Sequence, residues 1–180
     1  MTVELRFFER RDFHQLMEWV DSPEFLMQWA GPSFSFPLTE KQLDDYLEDS
    51  NLDRSEKYIY SVIQKDTGKL IGHISLVHID RYNRSGRIGR VLVGDPKARG
   101  NRVGRQMVQS VLKIAFEELH LHRVSLGVFD FNKPAITCYE NLGFQKEGLL
   151  RDTALVNGSY WNLWEMSLLE GEWEQLKGEI

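Results

Sequence analysis

The sequence predicts a mixed α/β fold, a sheet with helices on both faces, and three observations carry that prediction. Segments of alternating apolar and polar residues are joined by short turns, one long segment has apolar residues at helical spacing, and the element order is β-α-α-β-β-β-α-β-α-β-β. That order is neither a run of βαβ units nor an all-β pattern. With 180 residues, 42% apolar and 12% aromatic, the chain has enough apolar side chains for a core. One domain over residues 1–180 is the expectation, since no repeat and no Gly/Ser/Pro-rich linker divides it.

Residues Val3 to Phe8 alternate as a strand, and Asp12 stands as the N-cap of a helix carrying Phe13, Leu16, Met17 and Trp19. Gly31 to Leu38, with Pro32 and Pro37, is incompatible with a regular helix. Thr39 caps a helix over Glu40 to Glu48, with Gln42 placed to complete a capping box. Tyr58 to Gln64 and Leu70 to Ile79 flank the turn Asp66-Thr67-Gly68 and read as an antiparallel hairpin; a strand from Arg87 to Val93 follows the Asn83 to Gly86 turn. Pro96 to Gly104 opens the long helix, in which Val103, Met107, Val108, Val111, Leu112, Ala115 and Leu119 recur at helical spacing. His122 to Phe129 is the next strand. Asn132 caps a shorter helix with Pro134 in its first turn, and Gly143 ends it. Phe144 to Leu155 and Tyr160 to Leu169 form a last hairpin around Asn157-Gly158.

Composition excludes several functions. No apolar run reaches the roughly 18 to 20 residues that span a bilayer, and the N-terminus has no signal-peptide pattern, so a cytoplasmic protein is expected. The single cysteine, Cys138, has no internal partner, and no Cys/His spacing suits zinc, so no disulfide and no metal are expected. The net charge of −5 argues against nucleic acid as a partner. That charge suits a cationic small substrate, although solubility alone accounts for it.

Chemistry concentrates in two places. The basic, glycine-containing loop Pro96 to Gly104 lies between a strand and a helix, where free backbone N–H groups and the helix dipole favour a phosphate. The second place is Asn132-Lys133-Pro134-Ala135-Ile136-Thr137-Cys138-Tyr139-Glu140-Asn141-Leu142-Gly143-Phe144. This run resembles the N-x-x-A-I-x-x-Y-E-x-x-G-F signature of GNAT acetyltransferases, and the upstream loop is similar to their acetyl-CoA motif, Q/R-x-x-G-x-G/A. Glu147 to Arg151 and Trp161 to Met166 are similar to the branch containing ribosomal-protein-alanine and spermidine acetyltransferases.

The resemblance implies a central, mostly antiparallel sheet of about seven strands in which one parallel pair splays apart. Acetyl-CoA would be the cosubstrate, held by the backbone of Leu92 and Val93, by the loop residues Arg99, Gly100, Asn101, Arg102, Val103 and Gly104, and by Asn132 and Ala135. Arg102 stands where the family usually has glycine. A side chain is tolerated there if φ stays negative, so that the amide faces the phosphate, and its charge would add to phosphate binding. Tyr139 would act as general acid toward the leaving thiolate. The glutamate base of many such enzymes has no counterpart in Gly86 to Val91. His73 and His78 are candidates by residue type, five positions apart and therefore expected on opposite faces, although each reads more simply as an ordinary histidine. Cys138 reads as packing rather than as a nucleophile.

The acceptor would be a primary amine of a small molecule, polyamine-like or other, with a protein N-terminus as alternative and a non-catalytic acyl-CoA-binding module as a further one. The aromatic segment Trp29 to Phe36 with Tyr46 is a candidate acceptor wall. The acidic run from Asp44 to Asp49 reads as a solvated helix face. Trp161, Trp164 and Trp173 could serve a homodimer interface or, more simply, the core.

Overall fold

The computed structural model describes residues 1–178. Seven strands form one sheet: β1 (Val3–Phe7), β2 (Tyr58–Gln64), β3 (Lys69–Asp80), β4 (Ser85–Val93), β5 (Arg123–Phe129), β6 (Gln145–Val156) and β7 (Ser159–Leu169). Their spatial order is β1-β2-β3-β4-β5-β7-β6, and every pair is antiparallel except β4 with β5. The helices are α1 (Phe13–Trp19), α2 (Pro23–Ala30), α3 (Glu40–Leu47), α4 (Val103–Lys113), α5 (Lys133–Glu140) and α6 (Glu170–Leu176).

Alternation along the strands feeds two separate cores. On one face Tyr60, Val62 and Ile88 meet Met107, Val111 and Leu112 of α4, Ile136 of α5 and Trp173 of α6. On the other, Ile59 and Leu92 meet Phe13 and Leu16 of α1, Leu26 and Trp29 of α2, and Leu43 and Tyr46 of α3. A fully buried apolar side chain contributes about 1.5–3 kcal/mol, so the stripe on α4 holds it far more firmly than propensity does. No described helix is long and apolar enough to cross a membrane.

Local turn chemistry explains several boundaries. Asn132 Oδ1 accepts from Ala135 N at 3.3 Å, capping α5 as expected. Asn157 and Gly158 both have positive φ, at 49° and 77°, as a two-residue type I′ hairpin turn requires. Gly94, which follows β4, is required by close approach: a Cβ there would fall 2.1 Å from the Trp19 ring.

Two expected caps are built differently. Asp12 makes no side-chain cap to α1; its carboxylate instead accepts from Arg6 at 2.7 Å and from Ser61 Oγ at 2.6 Å, tying the first turn to β2. Thr39 caps α3 by accepting from Gln42 N at 3.3 Å, but Gln42 does not return the bond to Thr39's backbone N–H. Its amide accepts from Ser35 N at 2.8 Å and donates to the Ser35 and Pro37 carbonyls at 3.1 Å, fastening the loop before the helix. Two helices were not predicted. In α2, Ser22 Oγ accepts from Phe25 N and Pro23 opens the first turn, a start signal present in the sequence. In α6, Trp173 is fully buried. Arg84, Arg87 and Arg90 lie in or beside a β4 that begins two residues earlier than expected.

Candidate active site

β4 and β5 are joined over only three residue pairs, Ser85↔Arg123, Gly86↔Val124 and Arg87↔Ser125, and then part. Past Arg87 the backbone groups of β4 that would face β5 have no strand partner, and a buried backbone polar group needs one. The foot of the fork is fastened by Arg87, whose Nη2 donates to Glu165 Oε2 of β7 at 2.9 Å and whose Nη1 donates to Ser125 Oγ at 3.2 Å. The guanidinium crosses over β5 at Gly127, where a Cβ would sit 2.7 Å from Nη2.

Above the fork lies a cavity of about 950 Å³. Leu92 and Val93 of β4 form one wall, with Arg99, Gly100, Arg102, Val103 and Gly104 at the start of α4. Asn132, Ala135 and Tyr139 of α5 form the opposite wall. Of the residues named from sequence for acetyl-CoA, Asn101 lies outside the lining; its N–H donates to the Ala98 carbonyl and its Nδ2 to the Lys97 carbonyl at 3.1 Å. The first intrahelical bond of α4 runs from Gln106 N to the Arg102 carbonyl, so the amides of Val103, Gly104 and Arg105 are free of helix partners. These amides, the positive end of the dipole and the cations Arg99, Arg102 and Arg105 fit a diphosphate. Cys138 and Thr137 add a largely apolar stretch beside them, half-buried in the case of Cys138.

Arg102 corrects one expectation. Its φ is +57° and ψ 19°, left-handed, not the negative φ on which tolerance of its side chain was argued. The glycine usual at this place in the family is thus explained by backbone conformation, which costs an L-residue about 1–2 kcal/mol.

Tyr139 is 7% exposed, and its ring packs edge-on against Phe144 at 5.9 Å. Burial pushes the phenol above its ordinary pKa, so the hydroxyl keeps its proton. Burial likewise raises the Cys138 thiol, with Arg105 opposing, which leaves a poor nucleophile.

The histidines separate. His73 is fully buried behind β4, its Nε2 3.2 Å from the Tyr46 hydroxyl, and desolvation with the nearby Arg90 charge lowers it to about 3. Such a group cannot hold a proton taken from an ammonium at neutral pH. His78 is exposed in a bulge of β3, away from the cavity, beside Asp80 and Arg54. The acidic run is a solvated face: Asp44 pairs with Arg10 at 3.0 Å and Asp45 with Lys41 at 3.2 Å.

Sequence reading missed Arg105, Phe25 and Gln28, which also line the cavity. Arg105 is in the first turn of a helix whose start was recognised, and the other two lie on the overlooked α2. Trp29 and Tyr46, named as an acceptor wall, are both buried; Trp29 lines the cavity and Tyr46 lies behind it with His73.

A family model described as an acetyltransferase (GNAT) domain matches residues 2–145. The putative ribosomal N-acetyltransferase YdaF of Bacillus subtilis is 30% identical, over 96% of this chain and 93% of that protein. The spermidine N(1)-acetyltransferase of Vibrio cholerae is 27% identical over 94% of each. Among solved structures, the Vibrio cholerae spermidine N-acetyltransferase in complex with CoA and spermine superposes with a TM-score of 0.82 at 24% identity, covering 96% of this chain and 98% of that one.

Proposed function

The chain belongs to the GNAT acetyltransferase family and is an acetyl-CoA-dependent N-acetyltransferase, and from that premise we propose how its residues carry the reaction. The cavity above the β4–β5 fork receives acetyl-CoA and a primary amine of a small molecule together, and residues 1–180 act as one catalytic domain. A single observation carries this reading: unpaired strand backbone, free α4 amides and the Tyr139 side chain all face one cavity.

The chemistry follows from the residues. The amides of Val103 to Arg105, with Arg99 and Arg102, hold the diphosphate, and unpaired groups near Leu92 and Val93 supply a strand-like edge for the pantetheine arm. Asn132 and Ala135 close the opposite side. Arg99 is preset for this, its Nε donating to the Val93 carbonyl at 3.2 Å. The amine nitrogen attacks the thioester carbonyl, the C–S bond breaks, and the sulfur leaves as thiolate. Tyr139 donates a hydrogen bond to that sulfur and passes its proton there as charge develops, and the proton that the nitrogen sheds on becoming an amide restores the phenol. No carboxylate among the described residues lines the cavity, so the ammonium proton leaves to solvent before attack. The proposal includes a homodimer through β6 and β7, where Leu149, Leu150 and Leu155 are exposed.

The test is an amine panel with detection of released CoA thiol, run on the wild type and on Tyr139→Phe. Thiol release that depends on amine, with turnover in Tyr139→Phe lower by about 10²-fold at unchanged acetyl-CoA affinity, is the expected result. Full turnover in Tyr139→Phe would remove this residue from the mechanism.

A further inference from the structure

Among the described residues, three buried side-chain nitrogens have no hydrogen-bond partner: Trp29 Nε1, His73 Nδ1 and Arg90 Nε. They belong to one cluster. Trp29 stacks on Phe34 at 6.0 Å and meets His73 edge-on at 5.6 Å, while the Arg90 guanidinium lies 5.2 Å from the Phe34 ring and 4.4 Å from that of Tyr46. Trp29 and His73 are 8% and 1% exposed. No carboxylate of the described residues comes within 4.0 Å of Arg90.

Indole Nε1 and guanidinium Nε are donors only. If His73 Nε2 accepts from the Tyr46 hydroxyl, its Nδ1–H is a third donor. Leaving a buried donor unpaired costs about 1–3 kcal/mol, so three such nitrogens in one cluster that includes a cation call for an acceptor group. The cluster adjoins the acetyl-transfer cavity: Trp29 and Leu92 line that cavity and pack in the same core as Tyr46 and Phe34.

We propose that Trp29, His73 and Arg90 form an acceptor subsite for an anionic oxygen group, so that the amine acetylated here belongs to a small molecule bearing a carboxylate, of the amino-acid class. The proposal rests on the acetyl-transfer reading above and narrows its substrate. A polycation would find no Asp or Glu in the cavity lining among the described residues.

Two measurements test this. In the first, amino acids are compared as acceptors with their carboxamides, their decarboxylated amines and spermidine. In the second, calorimetry compares an N-acetyl amino acid with its amide for binding to the CoA-loaded protein. Charge-assisted hydrogen bonds predict that the carboxylate member is favoured by about tenfold or more in kcat/KM and in affinity. Arg90→Gln removes the preference through KM while CoA affinity holds; Trp29→Phe, which keeps a ring and deletes one donor, reduces it by less. Spermidine or the carboxamides used as well as the acids, or equal binding of acid and amide, would overturn the subsite. If acids bind preferentially and no amine is acetylated, the transfer reading fails and the subsite stands.

Discussion

Arg102 carries the backbone conformation that glycine adopts at no steric expense, and its side chain must leave the N-terminus of α4 from a left-handed position. Arg102 still lines the cavity, so a cationic residue is gained where conformational ease is lost. Arg102→Gly is expected to keep unfolding free energy within about 1 kcal/mol, since relief of strain offsets the freer unfolded chain. Arg102→Val is expected to lose about 1–3 kcal/mol, because a branched Cβ fits this region worst. Urea unfolding of both variants checks the pair, and a valine variant as stable as wild type would contradict a left-handed Arg102. Neither the sign of this φ nor the Trp29, His73 and Arg90 cluster was legible from sequence. The first depends on how the loop closes onto the helix, and the second joins side chains separated by up to 61 positions.

At the scale of elements, the strands around the fork are clasped by charges that cross them. Glu147, in a bulge of β6, accepts from Arg123 of β5 at 2.7 Å and from Ser167 of β7 at 2.8 Å. The Arg123 hydrogen bonds, then that of Ser167, lower its carboxyl from the ordinary 4.5 to about 2. A carboxylate with a depressed folded-state pKa lends stability that is whole above its unfolded value and is lost as pH falls through the folded one. Between about pH 4.5 and about pH 2 the wild type should therefore lose stability that Glu147→Gln never had. Unfolding measured across that range tests this, and parallel profiles for the two proteins would contradict the clasp. Elements whose ends are set by adjacent residues were legible: Thr39 and Asn132 as caps, Asn157-Gly158 as a hairpin. Those set by distant partners were not. Asp12 looked like a helix cap because its partner Ser61 lies 49 positions away, whereas α2 was missed although Ser22-Pro23 announces it.

For the whole molecule, one topological fact organises the chemistry. A sheet that is otherwise antiparallel holds a single parallel pair, and that pair separates after three residues. The two cores brace the fork from opposite faces, α4 and α5 on one and α1 to α3 on the other. The residues named from sequence to hold acetyl-CoA line this opening, Asn101 excepted. Hydrogen exchange resolved to single amides, with and without acetyl-CoA, tests most directly whether the cosubstrate sits there. Binding is predicted to slow exchange at residues 88–93 of β4 and at residues 103–105 of α4, leaving the β6–β7 hairpin turn at 157–158 unchanged. Saturating acetyl-CoA that leaves both segments exchanging at their free rates would contradict the account.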